Sequence, residues 1–277
     1  MKPLALVIEN DASTRKLLDV LLSRVGFEVD LVPTGTDASI ILQHVEYDLL
    51  MIDLLLPGKS GVELLEWLAA ERPHMLSRAV VLSSATPAKL DAVRERWPRV
   101  RTIRKPFELG EVLELAQHIT ASGRREPGEA SALEKFCRHS MRAGAKAGVV
   151  VGVNGAVLEP LLSFGYSAAI LDSYFPISVD APYPLCATIR HDKPLWIASV
   201  VAAAPDYPTL AAVWEANESR AVAAVPLRGG TGVIGAIGWS FREPRLFSER
   251  EQQIFTGIAE AVPEWLALRN HRKRVAN

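Results

Sequence analysis

The sequence predicts two folds in tandem: an α/β domain on a five-stranded parallel (βα)5 sheet, then an α+β domain on an antiparallel sheet. Three observations predict this. Over residues 1–121, short apolar runs alternate five times with segments of helical spacing, the pattern of a parallel sheet covered on both faces. Residues 121–131 are polar, hold Gly123, Pro127 and Gly128, and have no apolar period, which marks a boundary. Beyond them, Asn154-Gly155 is a hairpin signal and the strand-like runs come in consecutive pairs. The domains are then 1–122 and 132–277 with a linker at 123–131, in line with 277 residues at roughly 100–200 per domain.

In the first domain, Leu4 to Ile8 reads as a strand, and Ala12 to Val25 as a helix with Leu17, Leu18, Leu21, Leu22 and Val25 on one stripe. Gly26 stops it. Strand 27–32 and helix 37–45 follow, then strand 49–52, helix 62–70 and strand 79–82. Pro87 opens a fourth helix that runs to about Arg96. Strand 100–104 and helix 108–121 complete the alternation.

In the second domain, helix 132–147 precedes a strand pair, 148–153 and 156–164, expected to be antiparallel. A stretch with Pro176, Pro182 and Pro184 reads as irregular, and 185–190 as a short helix. Strand 194–201, helix 207–218, strand 221–227, a turn at 228–232 and strand 233–241 follow. A long helix from Ser248 to about Arg274 is interrupted at Pro263, and Ser248 with Glu251 makes a capping box.

Composition narrows the function. The formal charge is −1. Residues 1–123 hold 14 Lys and Arg against 17 Asp and Glu, and the remainder 17 against 15, so neither part carries the basic excess of a nucleic-acid binder. The basic tail, Arg269 to Arg274, suits a helix C-terminus, where the dipole favours cations. No helix-turn-helix follows it, and no DNA contact is expected. Cys137 and Cys186 form no Cys-x-x-Cys pair, so neither a zinc site nor a disulfide framework is indicated. No apolar run reaches about 18 residues, and the N-terminus lacks a signal-peptide core; a cytoplasmic protein is expected.

The strand ends carry the chemistry. Glu9, Asn10 and Asp11 follow the first strand, Asp53 the third, Ser84 the fourth and Lys105 the fifth. In a parallel sheet these ends share one edge, so the groups can converge. An acidic cluster there is a hard-oxygen site for Mg2+, and a carboxylate beside it can act as a nucleophile toward a phosphoryl group.

Residues 1–121 resemble the receiver domain of a two-component response regulator, with its flavodoxin-like fold. The resemblance rests on Val7-Ile8-Glu9-Asn10-Asp11, Asp53 with Leu54-Leu55-Leu56-Pro57-Gly58, Gly61, Ser84-Ala85 and Lys105-Pro106-Phe107. It implies that Asp53 accepts a phosphoryl group from a histidine kinase or phosphotransfer protein. It further implies Mg2+ held by Glu9, Asn10, Asp53 and the backbone carbonyl of Leu55, with Asp11 as a further candidate ligand. Ser84 would be the switch hydroxyl, Lys105 the phosphate-pairing cation, and the Lys105–Pro106 bond cis. Two departures stand out. Asn10 occupies a place usually held by a second acid, which implies weaker Mg2+ binding. Thr102 occupies the place of the aromatic switch residue. A flavodoxin-like nucleotide binder shares the topology, but no Gly-rich phosphate loop follows the first strand.

Residues 132–270 resemble a GAF domain. The carriers are Pro184 to Arg190, Lys193 to Ile197, Ala223 to Leu227, Gly232 to Gly238 and Phe247 to Glu251. The resemblance implies small-ligand sensing or protein–protein contact, and a homodimer through the terminal helices. The Asn-Lys-x-Phe-Asp-Glu motif of cyclic-nucleotide-binding members is absent. Tyr174, Phe175, Tyr183 and Trp196 are candidates for a pocket lining or for plain core. The expected function is signal transduction without a separate enzymatic activity: phosphorylation of Asp53 controls a GAF sensor or docking domain. Two alternatives are a GAF-fold thiol reductase using Cys186 under receiver control and a phosphorylation-independent scaffold.

Overall fold

The computed structural model describes residues 2–122, 130–230 and 232–275. Linker residues 123–129 and the side chains of the basic tail Arg269–Arg274 lie outside the described residues. The chain divides into two units, Met1–Glu129 and Ala130–Asn277.

The first unit alternates strand and helix throughout: β1 (Leu4–Ile8), α1 (Ala12–Arg24), β2 (Glu28–Val32), α2 (Gly35–His44), β3 (Leu49–Ile52), α3 (Gly61–Glu71), β4 (Ala79–Ser83), α4 (Pro87–Arg96), β5 (Arg101–Arg104) and α5 (Leu109–Ser122). The sheet order is β2-β1-β3-β4-β5, every pair parallel. β1, β3 and β4 are buried along their whole length, which is why each reads in the sequence as an unbroken apolar run. β5 is an edge strand and buries only Ile103, so its arginines can face water. Ala5, Val7, Leu18, Leu22, Met51 and Val80 form the centre of one core layer. A 3-10 turn at Pro73–Arg78, not foreseen, leads into β4.

Order reverses at β1, which pairs with β2 on one side and β3 on the other. Ligand crevices open at such a switch point, above the carboxyl ends of the strands. Local sequence sets the helix starts around it. Asp11 caps α1 by accepting from Thr14 N, and Ser60 and Glu63 form a capping box at α3.

The second unit runs α6 (Ala132–Arg142), β6 (Ala147–Asn154), β7 (Val157–Phe164), α7 (Ala168–Tyr174), β8 (Ile177–Ser178), α8 (Pro184–His191), β9 (Leu195–Ile197), α9 (Val200–Ala203), α10 (Ala211–Ala216), β10 (Ala221–Gly229), β11 (Gly232–Phe241) and α11 (Glu249–Val275). The six-stranded sheet has the order β8-β7-β6-β11-β10-β9 and is antiparallel throughout. Trp239 of β11 is fully buried beside Phe136 of α6 and Phe255 of α11, at ring distances of 6.3 and 4.9 Å. Its Nε1 donates to Ser140 Oγ at 2.8 Å.

Several features depart from the sequence expectation. The helix expected over 132–147 ends at Arg142, and Ala147 already opens β6. The helix expected over 207–218 is a 3-10 turn at Pro208–Leu210 followed by α10. The stretch after β7 is not irregular: Ser167 caps α7, and β8 follows. The predicted strand 194–201 stops at Ile197, because Ser199 accepts from Ala202 N and starts α9. α11 continues through Pro263 without a break.

Candidate functional site

The first unit gathers its polar groups where β1, β3, β4 and β5 end. Asp53 directly follows β3 and is 4% exposed. Its Oδ1 accepts from Ser83 Oγ at 2.6 Å and from Leu55 N at 3.0 Å. Its Oδ2 accepts from Lys105 Nζ at 2.7 Å. The same ammonium donates to Glu9 Oε2 at 2.5 Å, and Glu9 is buried. The Glu9 carboxylate is steadied in turn by Asp11 N on Oε1 at 3.0 Å. Burial works against the Lys105 ammonium, but its hydrogen bonds to Asp53 and Glu9, and their charge, more than offset this, so its pKa is raised.

Of the predicted site residues, Asp53, Glu9 and Lys105 meet directly. The Lys105–Pro106 bond is cis. The hydroxyl that reaches Asp53 is that of Ser83, fully buried, whereas Ser84 is exposed. The reason is that β4 extends to Ser83, one residue beyond the predicted end at Leu82. Asp11 does not turn inward. Its Oδ1 caps α1 by accepting from Thr14 N at 2.7 Å, which holds its carboxyl below the usual range. Asn10 is exposed, and Arg15 Nη1 donates to the carbonyls of Glu9 and Asn10 at 2.6 and 3.2 Å. That arginine fixes the backbone of the acidic turn; sequence reasoning missed it. Thr102, in place of an aromatic, accepts from Arg94 Nε of α4 at 2.5 Å.

Gly61 opens α3 against the backbone of the phosphoacceptor candidate. A Cβ there would collide with the Asp53 carbonyl oxygen, so only glycine lets α3 start at this point.

Among the described residues no cluster of three or more His, Cys, Asp and Glu stands ready to hold a metal. The donor set nevertheless fits Mg2+, which takes one or two carboxylates and keeps several waters. Glu9 and Asp53 are two buried carboxylates sharing one ammonium, which leaves one formal negative charge. Oxygens at Asn10 and at the Leu55 carbonyl are of the right hard type. When bound, the ion would neutralise phosphoryl charge.

In the second unit an apolar cavity lies between the sheet and α7, α8 and α10. Tyr174, Phe175 and Tyr183, candidates for pocket lining or core, line it; Trp196 does not, and packs its ring tilted against Phe247 at 5.2 Å. Cys186 is fully buried, and its Sγ donates to the Ser178 carbonyl at 3.4 Å. Burial pushes its thiol up, away from the thiolate a reductase would need. Cys137 is buried beside Met141.

A parallel sheet whose strand ends gather a buried acid, a lysine and a hydroxyl defines a receiver; the second unit is an antiparallel sheet flanked by helices. The sequence model of the response regulator receiver domain matches residues 5–117, and that of the GAF domain matches residues 128–263. The chain is a response regulator receiver domain fused to a GAF domain. It is 36% identical over 94 residues to the phosphate regulon transcriptional regulatory protein PhoB of Rhizobium meliloti, covering 34% of this chain and 41% of that protein. It is 32% identical over 199 residues to protein-glutamate methylesterase/protein-glutamine glutaminase 5 of Myxococcus xanthus, covering 67% of this chain and 54% of that one. A sensor protein structure from Polaromonas sp. JS666 is 26% identical with a TM-score of 0.38, covering 44% of this chain and all of the other. The chain thus spans about half or less of the length of these two curated relatives.

Proposed function

We propose that Asp53 accepts a phosphoryl group from a histidine kinase or phosphotransfer protein, and that this controls the GAF domain through dimerisation or partner contact. The convergence of Asp53, Ser83, Lys105 and Glu9 at one sheet edge carries the reading. In the transfer, an Asp53 carboxylate oxygen forms a bond to phosphorus as the bond from phosphorus to the donor histidine nitrogen breaks, and the electron pair leaves with the imidazole. Lys105 pairs with the new phosphoryl oxygens, giving up part of its hold on Asp53, and the Ser83 hydroxyl turns to donate to them. Glu9, Asp53, the Leu55 carbonyl and Asn10 would hold Mg2+ there.

Phosphorylation replaces the single negative charge of Asp53 by the nearly two of an acyl phosphate, and this gain of about one unit, carried outward on the phosphoryl oxygens, is the signal. Its first reader is Lys105, whose ammonium leaves Glu9 or Asp53 to meet it. The GAF domain then acts as sensor or docking module, with α6 and α11 as the homodimer surface. The chain works as a signalling protein in the cytoplasm rather than as an enzyme on a separate substrate. Among the described residues no helix is long and apolar enough to cross a membrane.

The test is incubation of the full chain with acetyl phosphate and Mg2+. Intact mass should rise by one phosphoryl group in the unmodified chain and not in Asp53→Asn. No gain, or an equal gain in both, refutes phosphoryl acceptance at Asp53. Size-exclusion light scattering with beryllofluoride should show a shift toward dimer; an unchanged mass refutes the output while leaving the acceptor intact.

A further inference from the structure

The GAF cavity has a chemical character that narrows what it can hold. It is walled by α7, α8 and α10 over a sheet floor of Ala224, Gly238 and Ser240, small residues that leave the space open. It offers about 100 Å³ of accessible space, room for a compact ring molecule rather than a nucleotide. Its aromatic walls are Tyr166, Tyr174, Phe175, Tyr183 and Trp214. Among the described residues no Asp, Glu, Lys, Arg or His lines it.

The polar groups in the lining are few and neutral. Tyr166 Oη and Ser240 Oγ share a hydrogen bond of 2.8 Å at the sheet floor. Burial pushes the Tyr166 hydroxyl up to about 12, so it stays protonated and can donate. Asn217 Nδ2 donates to Ser219 Oγ at 3.3 Å at a second point of the lining. Tyr174 Oη donates to the Thr209 carbonyl at 3.1 Å, which ties α7 to the turn before α10 and holds the wall in place.

We infer that this cavity binds an uncharged aromatic molecule bearing one hydroxyl-like polar group that meets the Tyr166–Ser240 pair. The inference rests on the proposed sensor role of the GAF domain and names the ligand class of that site. An anionic ligand such as a cyclic nucleotide would bury its charge with no cation in the lining to meet it, which is costly. A neutral ring system buries apolar area against aromatic faces, and its hydroxyl meets the Tyr166–Ser240 pair at the floor.

The experiment uses the full chain and three probes in calorimetric titration at pH 7: 2-naphthol, 2-naphthoate and cyclic GMP. The first two match in size and differ in charge. Saturable binding of 2-naphthol, at least tenfold tighter than either anion, is expected. Val213→Trp, which fills the cavity from α10, should abolish it, and Tyr166→Phe should weaken it several-fold while the melting temperature stays within a few degrees. An anion that binds as tightly as 2-naphthol, and is lost in Val213→Trp, overturns the neutral class and leaves the sensor reading standing. No saturable binding of any probe overturns both. Binding of 2-naphthol that survives Val213→Trp places it elsewhere and also overturns the inference.

Discussion

The two units solve opposite problems with their interior space. The receiver buries charge: Glu9, Asp53 and Lys105 sit together at the strand ends, each satisfied by the others. The GAF cavity is lined with aromatic rings and, among the described residues, with no charged side chain. The first is arranged to trade one set of ionic partners for another when an anionic phosphoryl group arrives. The second penalises such a group. A buried charge cluster owes its persistence to its partners, so removing one exposes the remainder to an uncompensated cost. An apolar cavity has no such liability, and its weak point is the aromatic packing behind it.

The largest effect that bears on this contrast is Trp239→Ala. Trp239 is fully buried with Phe136 and Phe255 beside it. Its truncation should cost about 3–5 kcal/mol, read as loss of the GAF transition in chemical denaturation. Phosphoryl acceptance at Asp53 from acetyl phosphate should persist. If it disappears as well, the two interiors are not the separate devices described above.

Next in size is Lys105→Met. Two buried carboxylates lose their shared ammonium, and the receiver should lose about 3 kcal/mol, toward the lower end for a pair that keeps some solvent access. Millimolar Mg2+ should restore more stability to this variant than to the unmodified chain, since the ion supplies the missing charge. Equal Mg2+ responses in thermal unfolding would count against Glu9 and Asp53 as ligands.

The sequence made some of this plain and concealed the rest for physical reasons. β1, β3 and β4 are buried on both faces, so their apolar runs announced a parallel sheet, and the ends of β1, β3 and β5 located Glu9, Asp53 and Lys105. The hydroxyl was harder. Ser83 and Ser84 are adjacent and chemically alike, and only the end of β4 distinguishes the buried one from the exposed one. In the GAF unit, Tyr174, Phe175 and Tyr183 were legible as pocket candidates, but Tyr166 and Trp214 were not, because they come together only when the sheet and α10 are in place. α7 escaped notice because it has no fully buried residue: its apolar side chains Ile170 and Leu171 face the cavity and keep some exposure. Trp196, an aromatic of the same kind, went to the Phe247–Phe255 cluster instead.

The serine pair gives the third prediction. Ser83→Ala removes the hydroxyl that donates to Asp53 Oδ1 and should cost about 1–3 kcal/mol of receiver stability. It should also slow phosphoryl uptake from acetyl phosphate. Ser84→Ala, at an exposed position, should change stability by less than about 0.5 kcal/mol. A larger effect of the Ser84 variant on uptake would return the switch role to Ser84.

The smallest expected effect is on metal affinity. The receiver pocket holds two carboxylates against one ammonium, and Asn10→Asp adds a third acid at its rim. The backbone there is held by Arg15 through the carbonyls of Glu9 and Asn10, so the substitution changes charge without moving the turn. Mg2+ binding in titration calorimetry should tighten about tenfold, or about 1.4 kcal/mol. Without the ion the variant should be slightly less stable, because a like charge is added beside Glu9. The GAF cavity provides the control: 2-naphthol binding there should be the same in the variant and the unmodified chain. Unchanged Mg2+ affinity would mean that the side chain at position 10 faces away from the ion, and that Glu9 and Asp53 alone set the strength of the site.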